Sequence, residues 1–383
     1  MQNKLTKLSP QTTLLGIFLV SVSLVCAVTL FPQLFYRKFD ASLYLTFHNF
    51  VELFGAIVCI SIFGVGWYAF DQSKNRHALF LSAMFLGVGL MGLMHTLSFP
   101  GMPPFVTPNS SNKCNQFWLA FRLYYALAFL ASAYVYPDTR NRLLTKTSLL
   151  LFSVAVSMIV FCAVIYYLSH LPLTFIDGKG LTPFKVFSEY VIIGLLAISL
   201  GAYWKRYNRT NDKLLILYIS ALALSIVSEF SFTLYNSFAD TYHVLGHVCE
   251  LGAFYLIYKG VFTTSVRNPY EKLRDSSRAL AEEIVERRRA EDSLREEKNF
   301  SDTIIQSLPG VFILFGTDGR LLRWNESLET VTGYSYQEIT QRSPLSFFSE
   351  KKQLVFQEAI RSFFTKWVWS CLCPEIISDL LNG

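Results

Sequence analysis

Eight stretches of the chain, at about 12–33, 45–70, 78–98, 116–136, 147–168, 184–204, 213–235 and 243–263, each approach the roughly 20 apolar residues that a bilayer-spanning helix needs. No other feature constrains the fold as strongly. Inside hydrocarbon every backbone N–H and C=O needs an internal partner, so runs of this length cross as α-helices. The expected fold class is membrane all-α: an eight-helix transmembrane bundle over residues 1–266. Composition agrees, with 52% hydrophobic residues and a mean hydropathy of +0.35, well outside the usual soluble range. The first run lacks a small-residue cleavage site and reads as an anchor.

An even number of spans puts both termini on one side. With the N-terminus inside, the inner segments hold Lys4, Lys7, Lys74, Arg76, Arg140, Arg142, Lys146, Lys205, Arg206, Arg209 and Lys213. The outer segments hold only Arg37, Lys38, Lys113, Lys179 and Lys185. Basic residues favour the cytoplasmic side, so both termini are expected in the cytoplasm and the chain in a bacterial-type inner (cytoplasmic) membrane. The net charge of +6 then reflects orientation, and no nucleic-acid partner is expected. Cys26, Cys59, Cys162 and Cys249 lie in apolar runs, Cys114 is read as alone in a loop, and Cys371 and Cys373 sit in the tail. That pattern is neither a disulfide framework nor a zinc motif.

Charged and ionisable side chains inside spans are costly and point to function. Here they sort to one side. His48 and Glu52 open the second span, four apart and so on one helix face. His95 closes the third span, and Arg122 and Glu189 fall in the second turns of the fourth and sixth. Glu229 lies in the outer third of the seventh span, and His243, His247 and Glu250 open the eighth. The inner halves are nearly free of such groups apart from Lys259. With neutral histidines, Glu52, Glu189, Glu229 and Glu250 outweigh Arg122. An unpaired buried carboxylate takes a partner, binds a cation or is protonated. The expectation is an outward-facing pocket for a small ligand or cation. His48, His95 and His247 are its candidate metal ligands, because imidazole with carboxylate suits zinc, copper or iron; haem on the same histidines is the rival. The breakers "SFPGMPP" after His95 and "DGKGLTP" before the sixth span are either lids over this pocket or plain connectors.

From Arg267 the sequence becomes charged. Leu273, Ser277, Leu280, Ile284, Arg287, Glu291, Leu294, Lys298, Ser301, Ile305 and Leu308 alternate steps of four and three, a heptad seam over about five repeats. Several seam positions are polar, which suits a weak parallel homodimer through 270–308 with two accessible packings. Residues 267–299 are thus a signalling coiled-coil linker. Beyond it, "VFILF" and "LLRWN" read as strands flanking the turn "TDGR", with Asp318-Gly319 at its centre. Short polar helices follow.

At these residues the chain resembles known families. "SLPGVFILFGTDGRLLRWNESLETVTGYSYQEI" is similar to the first half of a PAS domain, through the Asp318-Gly319 hairpin, Trp324-Asn325 and Gly333-Tyr334-Ser335. Gln341 stands where that family often has glycine. The stretches "HNFVE", "MHTLSFPGMP", "QFWLAFRL", "GLTPFKVFSEY", "EFSFTLY", "LGHVCELGAFYLIYKG" and "NPYEKL" resemble the membrane-associated sensor domain of the third MASE class over most of 40–275. This resemblance implies an input module placed ahead of a histidine kinase or diguanylate cyclase output.

Only residues 300–364 fit the PAS pattern, as its N-terminal part. Residues 365–383, with Trp367, Trp369, Cys371 and Cys373, fit neither strand periodicity nor family, and read as a truncated or frameshifted end. No phosphoacceptor histidine box, ATP-binding glycines or cyclase signature is present. The expected function is an integral-membrane signal-sensing module without catalytic residues, acting on an output domain outside this sequence. The alternative is a haem- or metal-binding membrane redox protein.

Overall fold

The computed structural model describes residues 10–358, except 140, 177–178, 236, 317–319, 348–349, 351 and 356. The chain divides between Asp275 and Ser276 into two compact units.

The first unit is helical: α1 (Pro10–Leu30), the short α2 (Pro32–Phe35), α3 (Ala41–Ser73), α4 (Arg76–Leu97), α5 (Ser111–Ser132), α6 (Lys146–Tyr166), α7 (Pro183–Thr210), α8 (Leu215–Leu234) and α9 (Thr241–Phe262). Each expected span coincides with a helix to within a few residues, except that α5 starts five residues early and α7 runs six residues past its expected end. The sequence sets the boundaries through side-chain caps. Asp40 accepts from the Ser42 and Leu43 amides, Asn75 from Ala78, Ser110 from Lys113, and Asp240 from His243. Thr182 caps α7 ahead of Pro183, which needs no amide donor at that position.

Five helices, α3, α4, α6, α7 and α8, are long and apolar enough to cross a membrane. Helices α5 and α9 fall below that mark for a physical reason. Asn115, Gln116 and Arg122 on α5, and His243, His247 and Glu250 on α9, are polar and face inwards. Phe50, Phe54 and Ile57 on α3, Phe152 and Ile159 on α6, and Phe187 and Ile198 on α7 point outwards. Large apolar side chains outside and polar ones inside suit a lipid solvent and not water.

Small residues let the helices approach. A Cβ on Gly66 of α3 would overlap Ser82 Oγ of α4, and one on Gly260 of α9 would lie 2.8 Å from the Tyr218 ring of α8. Phe85, Tyr125, Phe129, Tyr203 and Phe254 fill the centre. The segment after α2 is tied to the start of α9, with Phe39 N–H donating to Ala239 at 2.8 Å and Thr241 N–H to Arg37 at 3.1 Å. Between α6 and α7, β1 (Phe175–Ile176) and β2 (Gly180–Leu181) form a two-residue antiparallel ladder, closed with Gly180 at φ +88°.

After α9 the backbone passes through a five-residue π-helical turn, Thr263–Arg267, into α10 (Asn268–Ser307). The seam residues Leu273, Leu280, Ile284 and Leu294 of α10 are solvent-exposed in the single chain.

In the second unit, β3 (Ile313–Phe315) and β4 (Leu321–Trp324) pair antiparallel, and α11 (Glu326–Thr332) and α12 (Tyr336–Gln341) follow. The Asp318-Gly319 turn lies outside the described residues, but Gly316 N–H donates to Arg320 C=O at 2.8 Å across it. Trp324, Leu328 and Ile339 form a small core. Asn325 is fully buried; its Oδ1 accepts from Phe312 N–H at 2.9 Å and its amide donates to Gly310 C=O at 2.7 Å. Ser335 donates its backbone N–H and hydroxyl to Glu338, holding that carboxyl below its ordinary pKa. Trp367, Trp369, Cys371 and Cys373 lie outside the described residues.

Candidate functional site

Helices α3, α5, α7 and α9 begin at the end of the bundle where α4 and α8 finish. This alternation brings together what the sequence scatters over two hundred residues. His48, Glu52, His95, Arg122, Glu189, Glu229, His247 and Glu250 are all buried, and contacts link them into one polar cluster.

One half is ionic. Arg122 is paired with both Glu229 and Glu250, the second at 2.9 Å, and its guanidinium lies over the Tyr125 ring at 5.1 Å. Glu189 is paired with Lys185, one turn earlier on α7, and accepts from Trp118 Nε1 at 3.2 Å. An arginine or lysine held in such a site is tolerable only with its carboxylate, because either charge alone would be stranded in low dielectric.

The other half is imidazole and carboxylate. His247 Nδ1 lies 2.8 Å from Glu52 Oε1 and 3.7 Å from Glu250 Oε2. The His48 ring stands between those of His247, His95 and His243, with centroids 5.1, 5.4 and 6.3 Å away. Phe99, from the breaker after α4, lies over His48 at 3.9 Å. Through Phe99 the breaker packs on the His48 ring. His95 Nδ1 is 2.9 Å from the Cys114 carbonyl oxygen, and His243 Nδ1 is paired with the Tyr44 hydroxyl. Donor atoms from His48, Glu52 and His95 lie within 4.8 Å of one another, as do those from Glu52, His247 and Glu250. His247, expected beside His48 and His95 as a ligand, thus falls in a second triad that shares Glu52.

A cavity of about 20 Å3 borders the cluster, lined by Glu52, His247 and Glu250 on its polar side and by Gly55, Gly92 and Phe254 on its apolar side. That is room for a water molecule or an ion, not for a porphyrin.

Five sequence-level expectations need correction. Lys185 is not a loop charge: it is buried on α7 and adds a second cation to the cluster. Lys113 is buried too, its ammonium bound to the Phe105 carbonyl at 2.6 Å and the Thr107 carbonyl at 3.0 Å. Cys114 is not in a loop but inside α5, because the Ser110 cap starts that helix five residues before the apolar run. The same shift places Arg122 deeper than its second turn. Finally, the opposite end of the bundle is not free of ionisable groups. His77 Nε2 is 2.7 Å from Tyr203 Oη, which is 2.6 Å from Ser132 Oγ, and Arg206 donates to the Val135 carbonyl at 2.8 Å. Trp118, Tyr44 and Cys114 gave no signal in the sequence, since aromatics and cysteine in an apolar run look like lipid-facing or core residues.

The profile of the membrane-associated sensor domain family MASE3 matches residues 39–269, which hold the whole cluster and all five helices of membrane-crossing length. No curated protein and no solved structure matches the chain. Multi-pass, membrane-embedded and matched over more than half its length, this chain belongs to the MASE3 family of membrane-associated sensor domains.

Proposed function

We propose that the bundle detects an extracytoplasmic or membrane-embedded ligand at the His48–Glu250 cluster and passes the event through α9 and α10 to the PAS-like part and an output domain. All eight long helices cross the membrane in this reading, with both termini cytoplasmic in an inner membrane, so the cluster faces outwards. The observation that carries it is the placement of α9. That helix supplies His247 and Glu250 to the cluster and continues, through the π-helical turn at Thr263–Arg267, into α10. Single-turn π-segments are strained and often occur at functional positions. A ligand that favours one position of α9 biases α10 with it.

Two copies pair along the α10 seam, which gives Leu273, Leu280, Ile284 and Leu294 the apolar partner that a single chain denies them. The chain itself supplies recognition and transmission, and chemistry belongs to the output domain. A haem-based redox role is disfavoured by the roughly 20 Å3 cavity.

The test is a fusion of residues 1–299 to a complete histidine kinase output domain. His247→Ala and Glu52→Gln should each abolish regulation at normal membrane abundance. Inserting seven residues into α10 should preserve regulation, and inserting four should alter it, because four rotates the seam out of phase. Regulation indifferent to both variants and both insertions would sink the reading.

A further inference from the structure

We propose that the cluster is a binding site for one divalent transition-metal ion, held by His48, Glu52 and His95, with His247 on Glu52 as the reporting contact. The proposal rests on the sensing reading above and names its ligand class.

The side chains of α3 and α4 are arranged as ligands are. Neither ring nitrogen of His48 has a hydrogen-bond partner of good geometry, although the residue is fully buried and the Asn49 amide lies alongside. An imidazole without a well-formed hydrogen bond in a buried site costs free energy that a bound cation removes. His95 differs in an informative way. Its Nδ1 is clamped at 2.9 Å by the Cys114 backbone carbonyl. That contact fixes the proton on Nδ1 and leaves Nε2 as a lone-pair donor, as metal-ligating histidines are held. Glu52 completes the triad, with one donor atom from each of the three residues within 4.8 Å of the others. Donors around an ion at 2.0–2.2 Å are separated by roughly 3.3–3.5 Å, so the triad closes by about an ångström.

Charge favours a cation. Arg122 and Lys185 answer Glu229, Glu250 and Glu189. Glu52 touches neither, and its nearest polar partner is His247, 2.8 Å away. Two imidazoles and one carboxylate select a borderline divalent ion such as zinc, iron(II) or cobalt(II). Magnesium and calcium demand oxygen ligands, and copper(I) prefers sulfur. Three protein ligands leave a coordination position open, which water completes. An ion that draws in Glu52 changes what His247 meets, and His247 is on α9.

The experiment uses the full chain in lipid nanodiscs, stripped with a chelator and titrated with Co2+. We expect one Co2+ per chain, with ligand-field absorption of low coordination number, displaced by Zn2+ and not by excess Mg2+. His48→Gln and His95→Gln should each weaken Co2+ binding by more than about 100-fold, beyond the usual loss for an outer-shell partner, and His247→Gln by about 10-fold. His77→Gln, at the opposite end of the bundle, should bind as the unaltered chain does. Absence of stoichiometric Co2+ in the unaltered chain, a readout that needs no variant to fold, overturns the proposal. So does binding that survives His48→Gln and fails with His247→Gln, which would put the ion in the Glu52–His247–Glu250 triad. The kinase fusion separates the two readings. Zn2+-independent regulation in a chain that binds no metal refutes the metal site alone, whereas tight Co2+ binding with an unregulated fusion supports the site and refutes sensing.

Discussion

Arg122 Nη1 donates to Glu250 Oε1 across 2.9 Å, tying α5 to α9, while the same guanidinium is paired with Glu229 on α8. One cation therefore holds three helices together from a fully buried position. Removing it leaves two carboxylates without their cation, Glu229 fully buried and Glu250 with only His247, 3.7 Å away. Arg122→Ala should cost about 3–5 kcal/mol, the usual range for breaking a buried pair. Arg122→Ala combined with Glu229→Gln should recover part of the loss, because one stranded charge is gone. Thermal unfolding of the purified chain in nanodiscs checks this. If the single variant melts with the unaltered chain, the pairing contributes nothing to the bundle.

The approach of α3 to α4 yields a second expectation. Gly66→Ala places a methyl group on Ser82 Oγ, where only a shift of one helix relieves it. Overpacking of this kind costs about 1–3 kcal/mol. Gly201→Ala on α7 has nothing within 4 Å of the new Cβ, so it should be neutral or stabilise by up to about 1 kcal/mol through helix propensity. Parallel melting curves decide it. Equal effects from the two would show that residue type, not helix contact, governs.

Hydropathy made the helices legible because length and apolarity are local properties. It made the eight-residue cluster legible because ionisable groups stand out against lipid-facing sequence. What stayed hidden was pairing. Lys185 sits one turn before Glu189, but the sequence counts it among the outer charges, and only its burial on α7 shows the pairing. Cys114 meets His95 Nδ1 through both its carbonyl oxygen, at 2.9 Å, and its Sγ, at 3.2 Å, a pairing that no local pattern announces. His77 and Tyr203 meet across 126 positions through tertiary packing alone. The π-helical turn after α9 has no sequence signature either, as it lies between two stretches that each read as ordinary helix.

The second unit depends on one amide. Asn325→Ala would leave the Phe312 N–H and the Gly310 carbonyl without their partner at the mouth of the hairpin. Each orphaned group costs about 1–3 kcal/mol, against a core built on Trp324, Leu328 and Ile339. The variant should expose residues 310–328 to hydrogen exchange while α3 to α9 keep their protection. Unchanged exchange in the hairpin would show that the amide is dispensable.

Membrane topology tests the span count itself. Fusions ending at Asn75, Asn141, Asn211 and Arg267 should report from the cytoplasm, and a fusion at Asn112 from the outside. Asn75 and Asn211 cap the helix ends where Lys74, Arg76, Arg209 and Lys213 gather, and basic residues at those ends resist translocation. The weak points are α1, of which Phe18–Leu30 counts only as a shorter apolar helix, and α5 and α9, whose inward polar residues lower their apolarity. If α5 failed to cross, Asn112 and Asn141 would report from the same side. If α9 failed to cross, Arg267 would report from the outside, and α10 could not deliver a signal to a cytoplasmic output. An outside report at Arg267 therefore removes both the orientation and the transmission route, while inside reports at all four positions with Asn112 outside are the pattern that eight crossings with cytoplasmic termini require.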